Sequence, residues 1–260
     1  MKLQAFKMCE NLYFIGSEAV SVHLIDTEEG LVLIDAGYPD MYDLIVDNIK
    51  KVGFDPKDIC AIFHSHGHID HFGCTERLVA LSGAKTYISR IDNDIVNGKL
   101  DLSWAKELGL ETLPFFDCDV LIEDGDVFTF GNVQIRCVLT PGHTEGVMSF
   151  FITLENEGKK IVAAMHGGIG TNSMAADFLN AYGLSFDCRD KFRAGLKKLA
   201  LEDVDIVLGN HPQQSHTEEK MVRVLNGETD ITDKDEWKRF LIYAESRLDE
   251  RLKKEAEGSL

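Results

Sequence analysis

Basic residues are scarce in this chain: 27 Lys and Arg stand against 44 Asp and Glu, for a formal net charge of −17. A phosphate-backbone partner needs a basic footprint, so nucleic acid is not the expected partner. Any apolar stretch of membrane-spanning length is also missing, and no membrane partner is expected. The start, Met1-Lys2-Leu3-Gln4-Ala5-Phe6-Lys7, lacks the apolar region of a secretory signal. A cytoplasmic location is therefore the expectation, unless such a signal has been trimmed away. Six cysteines are scattered with no C-x-x-C pair, which suits small buried fillers better than a disulfide framework. Only five prolines occur, none placed like a hinge, and no Gly/Ser linker, low-complexity tract or solenoid repeat divides the chain. With 260 residues, 44% of them hydrophobic, one α/β domain over 1–260 is the reading.

Histidine, by contrast, is concentrated. The run His64-Ser65-His66-Gly67-His68-Ile69-Asp70-His71 follows directly on Ile59-Cys60-Ala61-Ile62-Phe63, an apolar stretch that reads as a buried strand. Imidazole nitrogen and carboxylate oxygen are the donors that suit a borderline divalent ion such as zinc. His66 and His68, two apart, could share one ion from the same side of an extended loop. Asp70 and His71 lie beyond them and are free for a second. His64 falls outside that spacing, and a role at the strand end is expected for it.

Upstream, Leu12–Ile15, Ala19–Ile25 and Leu31–Ile34 read as strands, with His23 as a hydrogen-bonded strand histidine. The third runs into Asp35-Ala36-Gly37-Tyr38-Pro39, where a carboxylate leaving a buried strand needs hydrogen bonds or a nearby cation. Met41–Val52 has helical spacing and Gly53 as its stop, Cys74–Leu81 reads as a helix, and Lys85–Ser89 as a strand. This alternation predicts helices packed on a sheet. From Arg90 to Asp119 periodicity fades while Trp104, Leu108, Leu110, Leu113, Phe115 and Phe116 accumulate; these are core residues or a substrate-covering loop.

Val127–Phe130 and Val133–Val138 form a hairpin about Gly131-Asn132, running into Pro141-Gly142-His143-Thr144-Glu145-Gly146. His143 repeats the strand-then-histidine pattern and supplies a third imidazole. The strand over Lys160–Ala164 ends in Met165-His166-Gly167-Gly168-Ile169, and a helix from about Cys188 to Leu201 precedes a strand ending in Gly209-Asn210-His211-Pro212. The tail from about 233 to 256 is an amphipathic helix with Thr232 placed to cap it.

The ordered set H-x-H-x-D-H, P-G-H-T and G-x-H-P resembles the metallo-β-lactamase superfamily, and within it the subclass B-three enzymes. That resemblance implies an αββα sandwich, two mixed sheets flanked by helices. It implies two Zn2+ ions, the first on His66, His68 and His143 and the second on Asp70, His71 and His211, with Asp35 buried behind them. The resemblance extends over Leu31–Gly73 and thinly over most of the chain. A hydroxide bridging two zinc ions would be the nucleophile, with Asp70 orienting it. The expected activity is opening of a β-lactam or similar cyclic amide; the alternative is a lactonase or thioesterase acting on another small ester. Two departures bear on that choice. The lactamases carry serines after the strand that here ends in His166, where this chain has Gly167, Gly168 and Ile169; Gly167→Ser with Ile169→Ser is expected to restore them. The thioesterases and many lactonases place a bridging aspartate at that strand end, and His166 stands there instead. His166 is read as a pocket residue or a further ligand, and Tyr38, Gly167, Phe115 and Phe116 as lining the pocket. Oligomeric state is not legible.

Overall fold

The computed structural model describes residues 2–111, 113–156 and 158–258. Seven described strands make the first sheet: β1 (Phe6–Cys9), β2 (Leu12–Phe14), β3 (His23–Asp26), β4 (Leu31–Ile34), β5 (Ile59–Phe63), β6 (Lys85–Ser89) and β7 (Val120–Ile122), side by side in chain order. The first pairings are antiparallel, up to β3 with β4, and the remaining ones parallel. A five-stranded sheet follows from β8 (Val127–Phe130), β9 (Val133–Leu139), β10 (Met148–Asn156), β11 (Lys159–Met165) and β12 (Ile206–Leu208). It is antiparallel except where β11 meets β12.

The two sheets face one another across a core that includes Phe14, Phe63, Phe150, Ile135, Ala163 and Leu208. Phe63 is its hub, stacked on Tyr87 at 4.3 Å and edge-on to Phe150 at 5.8 Å. Truncating a ring so enclosed costs about 3–5 kcal/mol. A second apolar layer lies outside the first sheet, where α1 (Tyr42–Lys51) and α3 (Thr75–Ser82) contribute Ile45, Ile49 and Leu78. A third covers the other sheet, through Leu179 of α5 (Ala176–Tyr182), Phe192 of α6 (Cys188–Leu199) and Trp237 and Leu241 of α8 (Glu236–Ala256). Helix, sheet, sheet, helix is thus the layering, as the resemblance implies. Among the described residues no helix is long and apolar enough to cross a membrane.

Three local expectations change. The strand read from Ala19 begins only at His23, because the chain before it bonds elsewhere: the Ser21 amide donates to the Asn210 carbonyl in the other half. His23 is buried as a strand histidine should be, yet neither ring nitrogen has a hydrogen-bond partner; burial lowers its pKa to about 4 and keeps it neutral. Thr232 does not cap α8, which starts at Glu236 behind Asp235, and the Thr232 amide instead donates to the Asp230 carboxylate.

Candidate metal centre

Every histidine singled out after a strand sits where that strand leaves its sheet, so one end of the sandwich collects them all. β5 delivers the run from His64 to His71, β9 delivers His143, β11 delivers His166 and β12 delivers His211. The chain then sorts them. His66, His68 and His143 offer nitrogens that all lie within 4.8 Å of one another, and Asp70, His71 and His211 form a second such group.

The hydrogen bonds behind these side chains fix their tautomers. His71 Nδ1 lies 2.8 Å from Asp35 Oδ2, His143 Nδ1 donates to the Gly170 carbonyl at 2.8 Å, and His211 Nδ1 to the Ala19 carbonyl at 2.7 Å. Ser65 Oγ gives its proton to Asp35 at 2.9 Å, so it accepts one from His66 Nδ1 at 3.0 Å. In each case the other nitrogen, Nε2, is left to face the group. His66 Nε2 and His68 Nδ1 stand 3.1 Å apart, close enough to bind one ion together. Donor type, spacing and outer partners all fit a divalent metal at each group.

Asp35 is the fixed point behind both groups. Its left-handed backbone (φ 64°) turns the carboxylate into the interior, where it is fully buried and accepts from the Ser65 amide at 2.7 Å as well as from Ser65 Oγ and His71. A non-glycine residue holds that conformation only when its surroundings impose it. His64 belongs to neither group: its Nδ1 donates to the Tyr87 carbonyl at 3.0 Å and its Nε2 accepts from Thr75 at 2.7 Å.

Electrostatics divide the groups. Burial, with help from neighbouring imidazoles, holds His66 and His68 well below the ordinary histidine pKa and brings His143 to about 4. Burial pulls on His71 too, but Asp70 and Asp35 together outweigh it and raise its pKa to about 10. Burial likewise opposes ionisation of Asp70, yet His71 above all holds it below the usual carboxylate range. Asp70 Oδ2 lies 3.2 Å from His71 Nε2 and 3.6 Å from His211 Nε2.

Several pocket assignments are corrected. Phe115 is exposed against Gly98, and Phe116 packs on His64 and Phe72; neither lines the cavity at the metal groups. From the same irregular segment Trp104 and Leu108 do, alongside Tyr38, whose phenol burial and Asp70 keep protonated with a pKa of about 12. His166 is in neither group. It is fully buried, its ring 5.7 Å from Phe192 and its Nε2 without a partner, because the turn after β11 folds it under α6. Gly167 sits behind the groups, its carbonyl accepting from Asn210, and a Cβ there would meet the Met148 carbonyl at 2.1 Å. Gly167→Ser is therefore not a restoration of a lost hydroxyl. Gly168 and Gly170 press on the His143 ring, at 2.6 and 2.7 Å from where a Cβ would be, so any side chain there displaces the imidazole.

One residue escaped the sequence. Asp92, fully buried, accepts from the Gly67 amide at 2.9 Å, the Gly146 amide at 2.9 Å and the Thr144 hydroxyl at 2.6 Å. It staples the loop carrying His66 and His68 to the loop carrying His143. Its burial raises its pKa to about 6 against those three donors. Glu145, the odd residue after Thr144, pairs at the surface with Lys191 at 2.9 Å.

Residues 15–156 match the Metallo-beta-lactamase superfamily (Lactamase_B) family model. Over 97% of both chains the fold is similar to the native FEZ-1 metallo-beta-lactamase from Legionella gormanii, with a TM-score of 0.87 and 26% identity. BJP-1, a subclass B3 metallo-beta-lactamase of Bradyrhizobium japonicum, superposes with a TM-score of 0.86 over 100% of this chain and 97% of that one; at 23% identity it speaks for the fold. Among curated proteins, an N-acyl homoserine lactonase of Bacillus thuringiensis is 27% identical over 163 residues, 54% of this chain and 60% of its own. The chain spans about 60% of the length of the curated relatives it matches.

Proposed function

The chain belongs to the metallo-beta-lactamase superfamily, and from that premise we propose that it is a two-zinc hydrolase that opens a β-lactam or similar cyclic amide. The observation that carries the reading is the pair of donor groups, three imidazoles in one and a carboxylate with two imidazoles in the other, meeting at one cavity. His66, His68 and His143 would hold the first ion, and Asp70, His71 and His211 the second. Zinc bound there would supply Lewis acidity toward the carbonyl and a water acidified enough to attack at neutral pH.

The chain's own residues do the positioning. Asp70, kept ionised, faces the Nε2 atoms of both His71 and His211 and is the group suited to orient an attacking water's proton. Asp35 and Ser65 engage Nδ1 of His71 and His66, which turns Nε2 of each toward its donor group. Tyr38 lines the cavity as a phenol that keeps its proton and so remains a hydrogen-bond donor. No Ser or Cys nucleophile is required.

A second reading, a lactone or thioester as substrate, has one observation in its favour. Among the described residues lining the cavity there is no Lys or Arg, so a substrate carboxylate finds no cationic side chain there. A turnover panel of penicillins, cephalosporins, lactones and thioesters with zinc-loaded protein decides between them. Ring opening of β-lactams at rates above those of the other classes supports the first reading. Turnover confined to lactones or thioesters replaces it with the second.

A further inference from the structure

Arg189, near the start of α6, and Glu255, in the last turn of α8, form an ion pair in which Arg189 Nη2 lies 2.9 and 2.8 Å from the two carboxylate oxygens. Both also grip the backbone just ahead of α5. Arg189 Nε donates to the Met174 carbonyl at 2.9 Å, and Glu255 Oε1 accepts from the Ala176 amide, the first of α5, at 2.8 Å. Arg251, one turn earlier on α8, donates to the Asn172 side-chain oxygen at 2.7 Å, and Asn172 lines the metal cavity. The segment so gripped in turn holds His143. Ser173 Oγ donates to the His143 carbonyl at 2.6 Å, so toward His143 Nδ1, 2.9 Å away, it can only accept. The Gly170 carbonyl accepts from the same nitrogen at 2.8 Å. Two acceptors at Nδ1 keep the proton there and leave Nε2 for the first donor group.

A second ionic contact on the same helix seam lacks this reach. Arg193, one turn further along α6, meets Glu245 and Asp249 of α8, and among the described residues its hydrogen bonds run from helix to helix alone. Arg189 and Glu255 are each 16% exposed, against 28%, 45% and 60% for Arg193, Glu245 and Asp249. The less solvated pair is the stronger tether.

We propose that Arg189 and Glu255 are positioning residues for His143: by clamping residues 172–176 to α8 they hold the imidazole in the Nδ1–H form that the first donor group uses. Only its effect on an ion rests on the metal reading above, because the tautomer is a property of the metal-free chain. A segment tied at 174 and 176 cannot drift at 173, and a bond as short as that from Ser173 to Nδ1 is lost with a drift of about 1 Å. Removing the Glu255 carboxylate also leaves the Arg189 cation and the Ala176 amide without their acceptor, so the clamp opens at both grips.

The test reads the imidazole nitrogens of metal-free protein by long-range proton–nitrogen correlation at pH 8, where burial keeps His143 neutral. The His143 signals are identified by their loss in His143→Ala. In the wild type Nδ1 should be protonated and Nε2 bare, with well-separated nitrogen shifts. In Glu255→Ala the two shifts should move toward one another as the tautomers mix. Glu255→Gln, whose amide oxygen still accepts from Ala176, should move them less, and Arg193→Ala should leave them in place. Zinc gives the second readout: competition with a chelator should show the first ion weakened about tenfold in Glu255→Ala and the second changed by less than about twofold. Wild-type shifts already averaged, His143 shifts unmoved in Glu255→Ala, or shifts moved as far by Arg193→Ala overturn the proposal, as does an equal loss at both ions. Should Glu255→Ala not fold, Arg189→Lys, which keeps the charge and loses the fork, is judged by the same outcomes. A wild type that binds no zinc while its shifts behave as stated defeats the metal reading and supports the clamp.

Discussion

The first donor group consists of three imidazoles, His66 and His68 buried and His143 half-buried, that desolvation holds neutral, so at neutral pH each has a lone pair for a cation. In the second group the carboxylates of Asp70 and Asp35, on either side of His71, favour its protonated form against burial. A metal entering the first group meets only desolvated nitrogens. A metal entering the second must displace a proton, which Asp35 and Asp70 hold with a pKa of about 10. The same chemical types, arranged differently around carboxylates, should thus give one group that takes a metal freely and one whose loading is coupled to pH.

The largest effect should come from breaking the first group outright. His143→Ala removes one of three ligands, and the rate should fall by about three orders of magnitude or more; a loss under about tenfold in steady-state kinetics would mean the first group is not the reaction centre. Next comes the coupling itself. The proton competes for His71, so affinity for the second ion should rise by about tenfold per pH unit from pH 6 toward 9, with one proton released on binding. Calorimetry in buffers of differing ionisation enthalpy measures both, and a pH-independent second affinity would erase the distinction between the groups.

Smaller effects are expected from the residues behind the ligands. Asp92→Asn should weaken the first ion about tenfold to a hundredfold and spare the second, while Asp35→Asn should weaken the second most. Competition with a chromophoric chelator resolves the two. Equal losses at both ions in both variants would mean that neither carboxylate is selective. The least effect on rate is expected from His64→Ala, within about threefold, although losing a buried, doubly hydrogen-bonded ring should lower stability by about 2–4 kcal/mol. Chemical denaturation and initial rates on one preparation separate those outcomes.

How much of this is legible in the sequence follows from where each residue's partners lie. Helices packed on a sheet and the run from His66 to His71 are legible because strand periodicity and ligand spacing are local, while the four-layer order follows from the family resemblance. His143 and His211 are legible because each follows a strand at once. His166 has the same local signature, yet it points under Phe192, since a strand end fixes where a side chain starts and not which way the turn throws it. Asp92 carries no local signal at all: its partners are two backbone amides and a hydroxyl at separations of 25, 54 and 52 residues. Phe115, Phe116 and Trp104 share one aperiodic segment, and only the packed chain shows that Trp104 alone of the three reaches the cavity.

The proposed function needs two metal ions at this end of the sandwich, one on each donor group. It is tested most directly by metal content after zinc loading at pH 8 and removal of excess, for the wild type and for His211→Ala. About two zinc ions per wild-type chain and about one in the variant are expected, because each group has a separate set of three ligands. A wild-type content near one, unchanged by His211→Ala, would contradict it.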